Sequence, residues 1–226
     1  MNSLKRILSY LIPQSVRQSR DLHGDPVYVD IYRGRLRLST DKAVYSFDDL
    51  YDNFFQVFKK IDLSRFQDSE ILILGGGLGS VPYMLEKKFG LKAAYTIIEY
   101  DVHIIELFNQ FTNPRMKSQI SFINLDAEIA VNILEEKYAL IIIDLFDHDE
   151  IPNQFKSLEF LEDCHKLMEK QGLILFNWLT INNALLMECN EYQNNVFKTI
   201  FNNSAINRTR YNTILLSDKS YLLPTN

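Results

Sequence analysis

The stretch ILILGGGLGS, Ile71 to Ser80, decides how this chain is read. Four consecutive apolar residues, Ile71 to Leu74, have the length and β-branched content of a strand buried on both faces. The run breaks into Gly75, Gly76, Gly77, Leu78 and Gly79. It resumes with helical spacing through Val81, Met84, Leu85 and Phe89, and Pro82 suits a first helical turn. Strand, glycine turn and helix in this order predict a site for an anionic or nucleotide-like ligand. The glycines allow close approach to the backbone, and the free N–H groups at the helix start face the ligand.

Downstream, short apolar strands alternate with helical periods, as in a doubly wound parallel sheet. Strands are expected at Ala94 to Ile98, Ile120 to Ile123, Tyr138 to Ile143 and Leu173 to Phe176. Asp101 is placed to cap a helix carrying Ile104, Leu107, Phe108 and Phe111, and Gly172 to end the helix through Leu158, Leu161, Cys164, His165 and Met168. After a longer helix over 183–201, Ala205 to Arg210 and Thr213 to Ser217 follow each other too closely for a crossover. They predict an antiparallel pair at the sheet edge. The fold expected is therefore α/β, a mostly parallel, seven-stranded, Rossmann-like sheet over residues 61–226.

Upstream, residues 1–20 read as a short amphipathic helix ending near Pro13 and a polar linker. Tyr28 to Ser39 then forms a hairpin turning at Gly34, with Lys42 to Phe47 as a returning strand. Alternation puts Arg33, Arg35 and Arg37 on one face, either solvated or anion-binding. An amphipathic helix over 48–61 leads into the first buried strand, so residues 1–60 form a small N-terminal β-hairpin region.

The 226 residues suit one sizeable α/β domain, and 46% hydrophobic with 23% charged content is ordinary for a globular protein. No apolar run approaches the roughly 20 residues that span a bilayer, and no secretory signal is read at the N-terminus. Cys164 and Cys189 lack metal-ligand spacing, so no metal is expected. Two buried thiols predict a reducing, cytoplasmic setting. Residues 1–37 hold seven basic side chains against three acidic ones, which leaves the remainder at −9 out of a net −5. A main domain this acidic argues against a nucleic-acid partner and suits a cationic small molecule.

In an open parallel sheet, ligands bind at the carboxyl ends of the strands. Glu99 ends the second strand, 20 residues beyond Gly79, where a carboxylate accepts from ribose hydroxyls. Asp126 and Ala127 follow the third strand, placed to read an adenine amino group. Gly75-x-Gly77 is followed by Ser80 where a dinucleotide fingerprint needs Gly or Ala, which favours an adenosine cofactor without a pyrophosphate. The loop after the fourth strand, DLFDHDEIP, holds Asp144, Asp147, Asp149 and Glu150 around His148. Asp144 follows three isoleucines at the cleft mouth, where desolvation and like charge raise a carboxylate's pKa and make it a base towards an amine. Asp147 is placed to hold a second ammonium group, and Asp149 and Glu150 read as a solvated acidic loop.

Taken together, ILILGGGLGS, TIIEYD, Asp126-Ala127, YALIIIDLFD, FLEDCHKLMEKQGLILFN and YNTILLS resemble the spermidine synthase (polyamine aminopropyltransferase) family over most of the chain. The resemblance implies the methyltransferase-like fold, S-adenosylmethionine or its decarboxylated analogue bound by Gly75 to Gly79, Glu99, Asp126 and Ala127, and a homodimer. It implies Asp144 as the base, with Asp147 matching the second Asp of the family loop. Three substrate-side motifs depart from the family. Its G-G-G-D-G has Leu78 for Asp, its Tyr-His-Glu falls on Tyr45-Ser46-Phe47, and its Tyr-Pro-Ser-Gly on Tyr211-Asn212-Thr213-Ile214. Because of Leu78, the reading placed first is methylation of a small amine-bearing acceptor. Aminopropyl transfer and a non-catalytic nucleoside-binding protein are the alternatives.

Overall fold

The computed structural model describes residues 3–41, 43–147 and 150–224. The chain opens with a helix, α1 (Ser3–Leu8), and four strands, β1 (Gln14–Arg20), β2 (Pro26–Tyr32), β3 (Arg35–Ser39) and β4 (Val44–Ser46). These form an antiparallel sheet in the order β1-β2-β3-β4. The stretch 14–20, expected as a polar linker, is therefore a strand, and the hairpin is one part of a four-stranded meander. Its polar alternation is that of an edge strand with one half-covered face.

Arg33 and Gly34 form the two-residue turn between β2 and β3, both with positive φ (50° and 73°). Arg33 thus leaves the strand face it was expected to share. Arg35 pairs with Asp49, and Arg37 donates to Asp30 at 2.6 and 3.1 Å. Two of the three guanidiniums are thereby committed to internal carboxylates rather than to an anionic ligand.

Next comes α2 (Asp52–Phe58), whose Phe54, Val57 and Phe58 pack on Ile71 and Ile73. By packing, α2 lies with the main sheet. The alternation then runs β5 (Ser69–Leu74), α3 (Ser80–Lys87), β6 (Ala93–Ile98), α4 (Val102–Phe111), β7 (Ile120–Ile123), α5 (Ala127–Ile133), β8 (Tyr138–Ile143), α6 (Leu158–Leu167) and β9 (Met168–Leu179). It closes with α7 (Asn183–Tyr192), which continues through a π-helical turn to Ile200, and with β10 (Ala205–Arg208) and β11 (Asn212–Leu216). The sheet order is β10-β11-β9-β8-β5-β6-β7, with β11 antiparallel to both of its neighbours and the other pairs parallel. Gly172 does not end α6. It lies within β9, where the register against β8 shifts between Tyr138 and Leu140.

Both faces of the sheet are covered, as the uninterrupted apolar runs require. Leu72, Leu74, Ile141 and Ile143 face α5, α6 and α7, whereas Ile71, Ile73, Leu140 and Ile142 face α2, α3 and α4. Cys164 and Cys189 are buried free thiols. Among the described residues, no helix is long and apolar enough to cross a membrane.

A third cluster joins the two sheets. Val27, Val29, Ile31, Leu36 and Leu38 pack against Leu78 of the glycine loop and Ile104 and Leu107 of α4. Asp48 reinforces the joint, accepting the Leu36 N–H at 2.9 Å and a two-pronged contact from Arg115 at 2.6 and 2.9 Å. Leu78, only 2% exposed, is thus a packing knob for the N-terminal sheet. Leu78→Ala should lower stability by about 2–5 kcal/mol in chemical denaturation. Leu78→Asp should cost more, because it buries an unpaired carboxylate. A Leu78→Asp chain as stable as the parent would show that this side chain does not serve the joint.

Candidate functional site

At the carboxyl ends of β5, β6, β7 and β8 lies a cavity of about 830 Å³, beside the point where the strand order reverses. Gly75, Gly76, Gly77, Glu99, Asp126, Ala127, Asp144 and Asp147 all line it. Leu78 and Gly79, expected among the cofactor contacts, do not. Leu78 turns into the N-terminal cluster, and Gly79 precedes α3 with φ 80° where a Cβ would stand 2.2 Å from the Phe108 ring. His148 and Asp149 lie outside the described residues.

The glycine loop is built differently from an anion cradle. Glu99 Oε2 accepts the N–H groups of Gly76 (3.0 Å) and Gly77 (3.2 Å), while Oε1 accepts that of Asp101 (3.1 Å). Gly75 N–H donates to Ile98 O and Gly79 N–H to Gly76 O. The Ser80 hydroxyl at the start of α3 accepts the Phe47 N–H and meets Ser46 Oγ, both at 2.6 Å. The four glycine amides of the loop are therefore satisfied from within, two of them by a carboxylate. That disposition disfavours a phosphate and leaves the cavity suited to a neutral or cationic group. Burial pushes the Glu99 pKa up, with the three amides opposing it and the Asp101 charge adding to it.

Asp126 caps α5 through the Glu128 N–H at 2.7 Å and still lines the cavity beside Ala127, so it serves as cap and cavity wall together. Asp147 is exposed, and its backbone makes a reciprocal pair with Glu150 (Asp147 N–H to Glu150 O 2.9 Å, the return bond 3.1 Å). Asp144 is the enclosed carboxylate. Tyr51 donates to its Oδ2 at 3.2 Å and Asn177 to its Oδ1 at 2.8 Å, and Asn212 donates in turn to Asn177 Oδ1 at 3.0 Å. Burial raises the Asp144 pKa to about 6 against the lowering effect of these hydrogen bonds. The like charge expected to contribute is not among the causes. The same burial, with the Asp144 charge beside it, holds the Tyr51 phenol well above its ordinary value.

Of these three partners, Tyr51 is not among the sequence-expected site residues, whereas Asn177 is one of the expected strand-end positions and Asn212 lies in the segment matched to the family's Tyr-Pro-Ser-Gly. The resemblance placed the family tyrosine at Tyr45, whereas the structure brings Tyr51, six residues later, to Asp144. Tyr45 also lines the cavity, but packs with the N-terminal cluster. A tyrosine immediately before a helix aimed at the β8 loop was the available signal. Asn177 lies two residues before the end of β9, and only the register Ile214↔Asn177 brings Asn212 within reach. Among the described residues, no Lys or Arg lines the cavity, and no group of three or more His, Cys, Asp or Glu could hold a metal ion.

Known proteins share this architecture. A probable spermidine synthase from Corynebacterium glutamicum superposes with a TM-score of 0.67 at 16% identity, covering 91% of this chain and 79% of that one. A spermidine synthase in complex with the transition state analogue AdoDATO gives 0.67 at 12%, covering 92% and 74%. Human methyltransferase-like protein 13 in complex with SAH gives 0.58 at 17%, covering 72% and 78%. At these identities the likeness establishes the fold. No curated protein matches the chain. The spermine/spermidine synthase domain, however, matches residues 59–214, from the end of α2 into β11 and across the carboxyl ends of β5, β6, β7 and β8, and the chain belongs to that family.

Proposed function

We propose that this protein is an aminopropyltransferase-type enzyme that binds decarboxylated S-adenosylmethionine in the strand-end cavity and alkylates a small amine, with Asp144 as base. The observation that carries this reading is the enclosed Asp144, held by Tyr51 and Asn177 in a cavity lined by carboxylates and, among the described residues, by no Lys or Arg. When bound, the cofactor supplies an alkyl group on a positively charged sulfur, which leaves without needing a proton.

Glu99 and Asp126 would hold the nucleoside. Oε2 of Glu99 is occupied by two amides, whereas Oε1 accepts only the Asp101 N–H and keeps acceptor capacity for a ribose hydroxyl. Asp144 takes the proton from the incoming ammonium nitrogen, whose lone pair then forms the new C–N bond. Tyr51 and Asn177 each use one side of the carboxylate, which fixes its plane while leaving it room to accept that proton. The alkyl carbon's former bond pair stays on sulfur. Orienting the two reactants and removing one proton is the chemistry asked of the chain.

The choice of cofactor departs from the sequence reading, which favoured methyl transfer because of Leu78. Position 78 faces the N-terminal sheet, so its side chain bears less on the cavity than its place in the motif implied. S-adenosylmethionine itself carries a tail carboxylate, and here it would meet other carboxylates and a loop whose glycine amides are already occupied. At 4 Å, one such repulsion is worth about 1–4 kcal/mol for effective dielectrics between 80 and 20. Methyl transfer remains the second reading, favoured by the missing carboxylate in the G-G-G-D-G position.

Calorimetry with the two cofactors should show the decarboxylated form binding at least about tenfold tighter. Preference for S-adenosylmethionine would reverse the order of the readings, and no binding of either would make the protein a non-catalytic member of the family. Asp144→Asn should lower turnover by about 10²–10⁴ while nucleoside affinity stays within a few-fold; retained turnover would remove Asp144 as base.

The pH dependence follows from the Asp144 pKa of about 6. Turnover per free enzyme should fall below pH 6 as the base is protonated, and Tyr51→Phe should move that limb to higher pH by removing a hydrogen bond to the charged form. For stability the sign is opposite to that of an ion-paired carboxylate. The native state keeps this proton up to about pH 6, whereas an unfolded Asp releases it near 3.8, so Asp144 costs stability increasingly as pH rises through that window. Asp144→Asn should accordingly gain stability relative to the parent between pH 4 and pH 8, measured by denaturation at each pH.

A further inference from the structure

One contact between the two sheets has no part in the proposed chemistry and lies beside the nucleoside end of the cavity. Asp101, 2% exposed, uses its two carboxylate oxygens for different tasks. Oδ1 accepts the His103 N–H at 2.8 Å, the ordinary cap of α4. Oδ2 accepts the Leu22 N–H at 2.8 Å, from the tip of the β1–β2 hairpin and 79 residues away in sequence. Capping α4 needs only the first.

The tip arrives already shaped. Asp21 Oδ1 accepts the N–H groups of His23 (3.0 Å) and Asp25 (2.8 Å), and Asp21 N–H donates to Asp25 O at 2.9 Å. Docked in this way, Asp21 and His23 join Glu99 and Tyr100 in lining the cavity, and the His23 and Tyr100 rings stand 6.3 Å apart at 47°. Little apolar burial secures the tip, because Leu22 is 52% exposed and His23 and Asp25 are exposed as well. The bond to Asp101 is thus a main tie between hairpin and cavity.

We propose that the hairpin tip, Asp21 to Asp25, is a wall of the nucleoside pocket, and that Asp101 is the positioning residue that holds it against the end of β6. This rests on the reading of the cavity as an adenosyl site. Glu99 stands at the end of the second strand of the parallel series, where an acidic side chain meets a ribose in sheets of this kind. The tip covers the same end of the cavity, so a bound nucleoside cannot leave past Glu99 without the tip giving way. The N-terminal sheet, beyond supporting the fold, thereby sets how long the nucleoside stays.

Two variants separate this role from helix capping. Asp101→Ser keeps a hydroxyl to cap α4 but lacks the second oxygen, and Leu22→Pro leaves Asp101 intact while removing the N–H it accepts. The probe is 5′-methylthioadenosine, which has no amino-acid tail and is indifferent to which alkyl group is transferred. Each variant should release it about tenfold faster in stopped-flow measurements, with the melting temperature within about 3 °C of the parent. The double variant should release it no faster than either single one, because both remove the same bond. Unchanged release in both variants, or additive effects in the double, would overturn the wall while leaving the nucleoside reading intact. Failure of the parent to bind the probe in calorimetry would instead overturn the nucleoside reading, and the wall with it.

Discussion

The site depends on a side chain that is missing. Gly75 closes β5 with φ 90°, and a Cβ there would stand 2.2 Å from the carbonyl oxygen of Asp144. Only glycine lets the ends of β5 and β8 come this close. The approach delivers Asp144 to the mouth of the cavity, and the Asp144 N–H donates to Leu74 O at 2.9 Å to hold it there. Tyr51 and Asn177 can then reach opposite oxygens of one carboxylate. Any larger residue at 75 would part the two strands and separate the carboxylate from the loop beside it.

The second constraint is electrostatic. A glycine turn before a helix is ordinarily a place for anions, because unsatisfied N–H groups collect there. Here Glu99 fills that role from within, and its carboxylate holds the Gly76 and Gly77 amides. The loop keeps the close backbone approach of a nucleotide site while giving two of its amides to an internal carboxylate. The carboxylates along the rest of the cavity push the same way, which fits a cationic ligand and acceptor.

The small N-terminal sheet completes the site through contacts of several kinds. Leu78 plugs its apolar face, Asp48 ties β3 to Arg115, and the β1–β2 tip reaches Asp101. Leu78 shows how a motif position can mislead. It sits in the middle of the most informative stretch of the chain, yet its side chain packs into the N-terminal cluster and does not line the cavity. A substitution there is a statement about packing before it is one about substrate.

The sequence by itself determined the parallel alternation, the strands from Ile71 onward and the cluster of Gly75 to Gly77, Glu99, Asp126 and Asp144 at their ends. These are legible because burial on both faces forces uninterrupted apolar runs, and because ligand residues in such a sheet must follow them. It also determined the capping role of Asp101, which depends only on a neighbouring amide. What local pattern could not decide was which side chains meet across elements. Alternation aligned Arg35 with Arg37, but only the fold supplied Asp49 and Asp30 as their partners. Tyr51 reaches Asp144 from 93 residues away, and Asn212 reaches Asn177 from 35, through strand register and helix packing. Those contacts follow from how two covered faces are closed against each other, and no short-range periodicity records that choice.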